Sequence, residues 1–328
     1  MSNKKILVCG ASGFIGTNLI MRHLQTDAEI TGVDLCDLKY LSEDQFHFIQ
    51  ADLRDYSFCD ELLQNGDFDE IYQLAADMGG AGYIFTGDSD ADIITNSAMI
   101  NLNILRSAST LNKKPKIFYS SSACIYPKSN QNDPKNPYCE ESSAYPADPD
   151  SEYGWEKLFS ERLYLSYARN YGIDVKIARF HNVYGPFGVW DGGKEKAPAA
   201  ICRKVAIAEK NGEIEIWGDG LQTRTFLYID DCLDAMERFM NSDNHGPLNV
   251  GSEEMVSINE LARIAMKIAD KELKFIHVEG PMGVRGRCSH NLKIQQTLNW
   301  SPQHSLARGI EKTYHWIAGE LKKMTENE

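Results

Sequence analysis

Short apolar runs alternate with amphipathic segments over the first 180 residues of the chain. Residues 14–24 and 92–111 carry apolar side chains at helical spacing and predict two helices. The apolar runs predict five strands, at residues 6–9, 29–35, 46–50, 69–75 and 116–120. Strands and helices in alternation are typical of a parallel sheet that is covered on both faces. Crossovers in such sheets are right-handed, so the pattern predicts a doubly wound α/β fold.

The regular alternation weakens after about residue 180. Glycine, proline and basic residues concentrate at 185–203 and again at 280–287. This composition predicts a smaller C-terminal domain that covers the carboxyl ends of the strands and binds a substrate. We expect the sheet domain to comprise residues 1–182 with 225–245 returning to it, and the smaller domain to comprise 183–224 and 246–328.

A glycine-rich segment separates the first predicted strand from the first predicted helix. Glycine permits a tight turn and close approach of a ligand to the backbone, and the helix N-terminus offers free N–H groups to a pyrophosphate. The segment therefore predicts the phosphate-binding turn of a Rossmann domain. The residues predicted to contact the dinucleotide there are Gly10, Gly13, Phe14, Ile15 and Gly16.

Two carboxylates further along the chain complete the predicted dinucleotide site. Asp34 ends the second predicted strand, 24 residues after Gly10. A carboxylate at that position accepts hydrogen bonds from the ribose hydroxyls and repels a 2′-phosphate, which favours NAD over NADP. Asp52 follows the third predicted strand and is expected beside the adenine.

A tyrosine and a lysine four positions apart begin the predicted helix that follows residues 149–151. Positions i and i+4 share one helix face, so the side chains of Tyr153 and Lys157 point into the same space. A free phenol has a pKa of about 10, and a nearby ammonium group favours its phenolate. Together with the serines at 120–122, which end the fifth strand, this pair predicts a base that takes a hydroxyl proton while a hydride leaves for NAD.

These motifs resemble those of the extended short-chain dehydrogenase/reductase family of nucleotide-sugar enzymes. The similarity covers essentially the whole chain and rests on the glycine motif, the serines at 120–122, Tyr153 with Lys157, and residues 179–186. It implies transient oxidation of a sugar hydroxyl, chemistry on the resulting ketone, and return of the hydride.

Several loops are similar, more specifically, to those of the GDP-mannose 3,5-epimerases within that family. The similar stretches are residues 75–80, 121–127, 192–200, 217–224 and 284–287. Inversion of a carbon requires groups on both faces of the sugar ring. The resemblance gives Cys124 and Lys196 these acid/base roles, gives Tyr153 and Lys157 the redox role, and gives Ser122 a hydrogen bond at the C4 oxygen. It implies GDP-mannose as substrate, GDP-L-galactose with some GDP-L-gulose as products, and a homodimer formed through two long helices.

The substrate's diphosphate requires cations, and guanidinium groups match phosphate oxygens well. We expect the phosphates to contact Lys204, Arg285 and Arg287. The resemblance adds further substrate contacts at Gly79, Gly80, Asn182 and Gln222, besides Ser122, Cys124 and Lys196.

Composition limits the partners of the chain. It has 328 residues with 47 Asp and Glu against 34 Lys and Arg, a net charge of −13. Such acidity argues against nucleic acids and anionic membranes as main partners. The 8 cysteines are scattered without a Cys-x-x-Cys pair, so we expect no metal site and no disulfide scaffold. Free thiols, and the lack of an apolar run of membrane-spanning length, predict a cytoplasmic protein.

Three alternative functions stay open at this point. A nucleotide-sugar 4-epimerase needs no second acid/base pair, so Cys124 and Lys196 argue against it. A 4,6-dehydratase resembles Thr-Asp-Glu where this chain has Ser122-Ala-Cys124. A non-catalytic NAD-binding regulator is expected to have lost Tyr153 or Lys157, and this chain retains both.

Overall fold

The computed structural model describes residues 3–281 and 283–326. Its central sheet contains seven parallel strands in the order β11-β6-β5-β4-β1-β2-β3. The strands of this sheet are β1 (Lys5–Cys9), β2 (Glu29–Asp34), β3 (His47–Gln50), β4 (Glu70–Gln73), β5 (Lys116–Ser122), β6 (Val175–Phe180) and β11 (Leu248–Val250). The predicted doubly wound parallel sheet is confirmed, and the order reverses beside β1, where such sheets bind ligands at their carboxyl ends.

Helices cover both faces of this sheet, as the nearly continuous apolar strands require. The helices are α1 (Phe14–His23), α2 (Tyr56–Gly66), α3 (Ala81–Ile84), α4 (Asp90–Thr110), α5 (Glu152–Tyr171), α6 (Ala197–Ile207), α7 (Ile229–Met240), α8 (Ile258–Ile268), α9 (Leu292–Leu298) and α10 (Leu306–Glu326). Alternate residues of β1 enter different cores: Ile6 and Val8 pack with one cluster, and Leu7 and Cys9 with the other. No helix of the described residues is long and apolar enough to cross a membrane.

The remaining strands form small sheets beside the carboxyl ends of the large one. They are β7 (Val183–Tyr184), β8 (Glu213–Trp217), β9 (Thr223–Thr225), β10 (Leu227–Tyr228), β12 (Met255–Ser257), β13 (Lys274–Val278) and β14 (Gly286–Arg287). Strand β9 pairs with both β12 and β14, and β8 pairs with β13. Strand β11 joins the large sheet although it lies outside the predicted returning segment 225–245. The division of the chain into two domains stays a prediction.

Local sequence features explain where the long helices α4 and α5 begin. Asp90 and Asp92 lie in the first turn of α4, where carboxylates interact favourably with the free N–H groups. The Ser151 hydroxyl accepts a hydrogen bond from the Gly154 backbone N–H at 3.3 Å and so caps α5. This cap sets Tyr153 in the first turn, directed into the protein with 7% of its surface exposed.

Candidate active site

The predicted phosphate-binding turn is built from backbone. Gly10 has φ +85° and its N–H donates to the Val33 carbonyl at 2.8 Å. A Cβ atom on Gly16 would lie 2.0 Å from the Gly10 carbonyl oxygen, so only glycine lets α1 start this close to the turn. Gly13 precedes α1 without a side-chain cap. The first N–H groups of α1 are therefore available to an anionic ligand, which fits a pyrophosphate.

Asp34 lies at the carboxyl end of β2, as the dinucleotide motif predicts. Its carboxylate accepts hydrogen bonds from the backbone N–H groups of Ser12 at 2.9 Å and Cys36 at 3.0 Å. The carboxylate is thereby fixed beside the glycine turn, and its position fits a ribose. Asp52 binds the Arg54 guanidinium, and the hydrogen bonds from Arg54 lower the pKa of Asp52.

The first two residues of α1 pack into the protein. Phe14 lies beside Gly188, and Phe14 and Ile15 both contact the larger apolar core. Contacts of Phe14, Ile15 and Asp52 with a dinucleotide stay predictions.

Tyr153, Lys157 and Ser122 form one buried group, as the sequence predicts. The Lys157 ammonium donates to the Ser120 carbonyl at 2.9 Å and lies 5.6 Å from the centre of the Tyr153 ring. Burial raises the pKa of the Tyr153 phenol, and a hydrogen bond with Ser122 opposes that effect. Burial also lowers the pKa of Lys157. The ionisable groups of Tyr153 and Lys157 are therefore shielded from water by burial.

Cys124 lies in a short 3₁₀ turn directly after β5. The Ser122 hydroxyl oxygen caps this turn by accepting from the Cys124 N–H at 3.2 Å. Burial raises the pKa of the Cys124 thiol. A thiolate at Cys124 acts electrostatically on Tyr153, Lys157 and Lys196, so the structure brings the predicted redox and acid/base groups together.

Lys196 occupies the N-cap position of α6 and is half-buried. Burial lowers the pKa of its ammonium group, and the Cys124 sulfur opposes that shift. The Gly80 N–H donates to the Lys194 carbonyl at 3.0 Å, and a Cβ atom on Gly80 would lie 2.3 Å from the Glu195 carbonyl oxygen. Glycine at position 80 thus allows the two loops to meet beside Lys196. Gly79 packs against the neighbouring helix α3.

The remaining predicted substrate residues make contacts of their own within the C-terminal half of the chain, and their contacts with a substrate stay predictions. Asn182 has φ +48°, and its amide donates to the Thr225 carbonyl at 2.8 Å. The Gln222 amide nitrogen donates to the Trp217 carbonyl at 3.1 Å, while its buried oxygen has no hydrogen-bond partner among the described residues. The Lys204 ammonium donates to the Glu215 carbonyl at 2.9 Å. The Arg285 guanidinium pairs with Asp219 at 3.1 Å and remains partly exposed.

Arg287, which is expected to contact the phosphates, lies inside the protein, and its phosphate contact stays a prediction. Its side chain is buried, and the guanidinium contacts Cys124, Gln131 and Asp150. Sequence reasoning did not assign a role to Gln131 or Asp150, because neither belongs to a recognisable motif and both reach Arg287 only through the fold.

Known proteins are similar to this chain over most of its length. Residues 6–251 match the model of the NAD dependent epimerase/dehydratase family. The chain is 43% identical to GDP-mannose 3,5-epimerase 1 of Oryza sativa subsp. indica, over 97% of this chain and 83% of the relative. It is 42% identical to GDP-mannose 3,5-epimerase of Arabidopsis thaliana, over 98% of this chain and 84% of the relative.

Solved structures share the architecture. UDP-glucose 4-epimerase of Thermotoga maritima, with UDP-glucose, has a TM-score of 0.83 at 23% identity, covering 97% of this chain and 99% of that one, which shows the fold. UDP-glucuronic acid 4-epimerase of Bacillus cereus, in complex with UDP-glucuronic acid and NAD, has a TM-score of 0.80 at 28% identity, covering 96% of this chain and 99% of that one.

Proposed function

The chain belongs to the NAD dependent epimerase/dehydratase family, and on that premise we propose that it epimerises GDP-mannose at C3 and C5 with NAD as cofactor. The products are GDP-L-galactose and some GDP-L-gulose, formed through a 4-keto intermediate. The rice and Arabidopsis relatives, 43% and 42% identical, carry the name of this activity. The observation that carries the proposal is the packing of Cys124 and Tyr153 in one buried cluster, with the half-buried Lys196 close enough for its charge to act on the sulfur.

The first step needs a base at the C4 hydroxyl. NAD, when bound, accepts the hydride from C4 and later returns it. Tyr153 takes the hydroxyl proton, and the Ser122 hydroxyl, which hydrogen-bonds the phenol, orients the same oxygen. Lys157 is held by the Ser120 carbonyl beside the Tyr153 ring. Its positive charge stabilises the phenolate, which burial alone disfavours.

The ketone at C4 makes the hydrogens on C3 and C5 acidic, and inversion then needs a donor and an acceptor on opposite faces. Cys124 follows β5, whereas Lys196 enters from the start of α6. Burial raises the pKa of Cys124 and lowers that of Lys196, so it favours the uncharged form of each. In the first inversion one group takes the proton from carbon and the other delivers a proton to the opposite face. In the second inversion the two groups exchange these roles, which restores the protonation state of both.

The diphosphate and sugar are held by the polar groups around this centre. Arg285 lies two residues before Arg287, is partly exposed, and can bind phosphate once it releases Asp219. Lys204 adds a second cation beside Trp217. The unpaired Gln222 oxygen and the amide of Asn182 supply contacts to hydroxyl groups.

The test is proton exchange. The protein is incubated with GDP-mannose in deuterated water, and the sugar protons are followed by NMR without added NAD. We expect deuterium at C3 and C5 together with the two products. Absence of exchange at both carbons would reject the proposal. Cys124→Ala is expected to abolish exchange while C4 oxidation persists, and undiminished epimerisation would remove the assigned role of Cys124.

We further propose a cytoplasmic homodimer formed through α4 and α5. These helices expose Met99, Leu102, Trp155 and Phe159, whose surfaces are 40–50% accessible. Apolar side chains of this size favour burial against a second copy. Multi-angle light scattering is expected to give twice the mass of the chain, and Phe159→Lys is expected to shift it toward the monomer. All eight cysteines are unpaired, which agrees with a reducing compartment.

A further inference from the structure

A buried carboxylate lies one residue before Lys157 and takes no part in the proton transfers of the proposed reaction. Glu156, near the start of α5, is 2% exposed. Its Oε1 atom accepts hydrogen bonds from the Ser160 hydroxyl at 2.6 Å and the Asn101 amide at 3.1 Å. Its Oε2 atom is buried and has no hydrogen-bond partner among the described residues. Buried polar atoms are nearly always paired and buried charges compensated, so this carboxylate requires an explanation.

Neutral side chains from three elements hold Glu156 in place. The Asn101 amide nitrogen, on α4, also donates to the Ser160 hydroxyl oxygen at 3.1 Å. The Asn101 oxygen accepts from the Gln73 amide, at the end of β4, at 2.9 Å and from the Tyr164 hydroxyl of α5 at 3.1 Å. These groups orient the carboxylate, but none of them carries a positive charge that compensates it.

The next residue is a buried cation in the corresponding situation. Lys157 is also 2% exposed, and its ammonium group donates to the neutral Ser120 carbonyl at 2.9 Å. The ammonium nitrogen lies 5.0 Å from the centre of the Tyr119 ring. These contacts orient the ammonium group without supplying a full negative charge.

The two other carboxylates that act on Lys157 or Tyr153 already have cationic partners. Glu161 forms an ion pair with Arg179 at 2.8 Å, and Asp150 forms one with Arg287. Neither Glu156 nor Lys157 forms a direct ion pair within the part of the chain that the structure describes. A negative and a positive buried charge are thus left on successive residues of one helix.

We propose that Glu156 is a positioning residue that acts through Lys157: its carboxylate is the counter-charge that keeps the buried ammonium group charged beside Tyr153. The inference rests on the proposed function, because it assigns Glu156 to the redox step of that reaction. The side chain of Glu156 is directed to α4 and contacts no substrate in this role.

The need for a permanent counter-charge follows from the proton transfer at C4. Before the transfer, the Tyr153 phenolate is a second negative group beside Lys157. After Tyr153 has taken the hydroxyl proton it is neutral, whereas the ammonium group of Lys157 keeps its charge. A buried charge that loses its only partner is strongly destabilised. Glu156 exchanges no proton in the cycle, so it compensates Lys157 both before and after the transfer.

The electrostatic effects of Glu156 agree with this geometry. Burial lowers the pKa of Lys157, and among the charged groups Glu156 opposes that shift most. Burial and Cys124 raise the pKa of Tyr153, and Glu156 adds to the increase. The other titratable groups that interact with Glu156, Lys157 or Tyr153 come from β5, the turn after it, the segment before α5 and α5 itself: Tyr119, Cys124, Asp150, Glu161 and Tyr164.

A thermodynamic cycle tests the pairing without substrate. The variants are Glu156→Gln, Lys157→Met and the two combined, each unfolded by heat with excess NAD and followed by circular dichroism. Glutamine keeps an oxygen for the Ser160 and Asn101 donors, so the change removes mainly the charge. We expect Glu156→Gln to lower the Tm by roughly 5 °C in the wild-type chain, because Lys157 is left uncompensated. In the Lys157→Met chain the same change is expected to raise the Tm, because it removes a buried charge that has lost its partner.

The matched control is Glu152→Gln, which is half-exposed in the first turn of the same helix. It should change the Tm by the same small amount in the wild-type and Lys157→Met chains. If Glu156→Gln lowers the Tm equally in both chains, Glu156 serves only its hydrogen bonds and the inference is wrong. If Glu156→Gln alone does not fold, the combined variant decides: a folded combined variant supports the pairing, and an unfolded one contradicts it.

The pH dependence of the reaction separates an effect of charge from an effect of packing. We expect kcat for deuterium exchange from GDP-mannose to rise as Tyr153 ionises and to fall as Lys157 loses its proton. Loss of the Glu156 charge lowers the pKa of both groups, so both limbs of the profile should move to lower pH in Glu156→Gln, by about half a pH unit to one pH unit. Glu152→Gln should leave both limbs in place. A lower maximum with both limbs unmoved in Glu156→Gln indicates packing alone and would overturn the inference.

Failure of the proposed function gives a different pattern. If the wild-type protein does not exchange deuterium with GDP-mannose, the substrate assignment fails, whereas the Tm cycle still decides whether Glu156 and Lys157 compensate each other. A reversed sign of the Glu156→Gln effect in the Lys157→Met chain then supports the pairing, and an equal loss in both chains contradicts it.

Discussion

The cofactor turn and the catalytic group are built by different means. At the turn, the decisive atoms belong to the backbone: Gly10 and Gly16 are required because a side chain would clash with neighbouring backbone atoms. At the catalytic group, the decisive atoms are side-chain ends brought together from β5, α5, the start of α6 and β14. An added side chain should therefore impair the cofactor turn, and the loss of a side-chain group should impair the catalytic group.

The largest effect is expected from removal of one oxygen in the catalytic group. Tyr153→Phe keeps the ring beside Cys124 and Lys157 but loses the base at the C4 hydroxyl. We expect kcat for epimerisation to fall on the order of 10³-fold. NAD reduction on addition of GDP-mannose, followed by absorbance, should disappear together with deuterium exchange. Retention of exchange in this variant would mean that the ketone forms without Tyr153 and would contradict the assigned role.

The same difference explains what could be predicted from the sequence. The alternation of apolar and polar segments predicted five of the seven strands of the sheet, with ends displaced by a few residues, and did not predict β6 or β11. Predicted strand 69–75, for example, is Glu70–Gln73, because the chain leaves the sheet earlier to reach the site. The predicted strand 116–120 continues to Ser122, which then caps the turn that carries Cys124. The glycine turn is local, so its motif predicted the position and backbone geometry of the turn.

The surroundings of Cys124 could not be predicted in the same way. Arg287 follows Cys124 by 163 residues and Asp150 precedes Arg287 by 137, so their contacts exist only after the chain has folded. Family resemblance placed basic residues near the substrate but could not separate Arg285, which is partly exposed, from Arg287, which is buried. The different burial of two basic residues separated by a single glycine is a tertiary property.

One added methyl group tests the cofactor turn. Gly16→Ala places a Cβ atom 2.0 Å from the Gly10 carbonyl oxygen, so the turn or the start of α1 must move. Such overpacking costs about 1–3 kcal/mol, and we expect NAD to bind roughly tenfold or more weakly by isothermal titration calorimetry on protein freed of NAD.

The control is Gly319→Ala in α10, where a Cβ atom meets nothing within 4 Å. That change should leave NAD binding unaltered and stabilise the helix slightly. Equal loss of NAD affinity in both variants would show that the effect at Gly16 is not specific to the turn. The proposed contrast between the cofactor turn and the catalytic group would then not hold for the cofactor turn.

The smallest effect is expected where a side chain at the cofactor turn keeps its shape and loses only its charge. Asp34→Asn retains an oxygen that accepts from the Ser12 or Cys36 N–H, so the backbone around the turn should hold. The hydrogen bonds to ribose become weaker without the charge, and the repulsion of a 2′-phosphate is lost. We expect about a threefold to tenfold loss of NAD affinity and a clear gain in relative affinity for NADP, both measured by calorimetry.

Asp27→Asn, exposed just before the other end of β2, is the control for loss of one negative charge. An unchanged ratio of the affinities for NAD and NADP in Asp34→Asn would mean that the backbone alone selects the cofactor. The cofactor turn would then depend on no side chain, in contrast to the catalytic group.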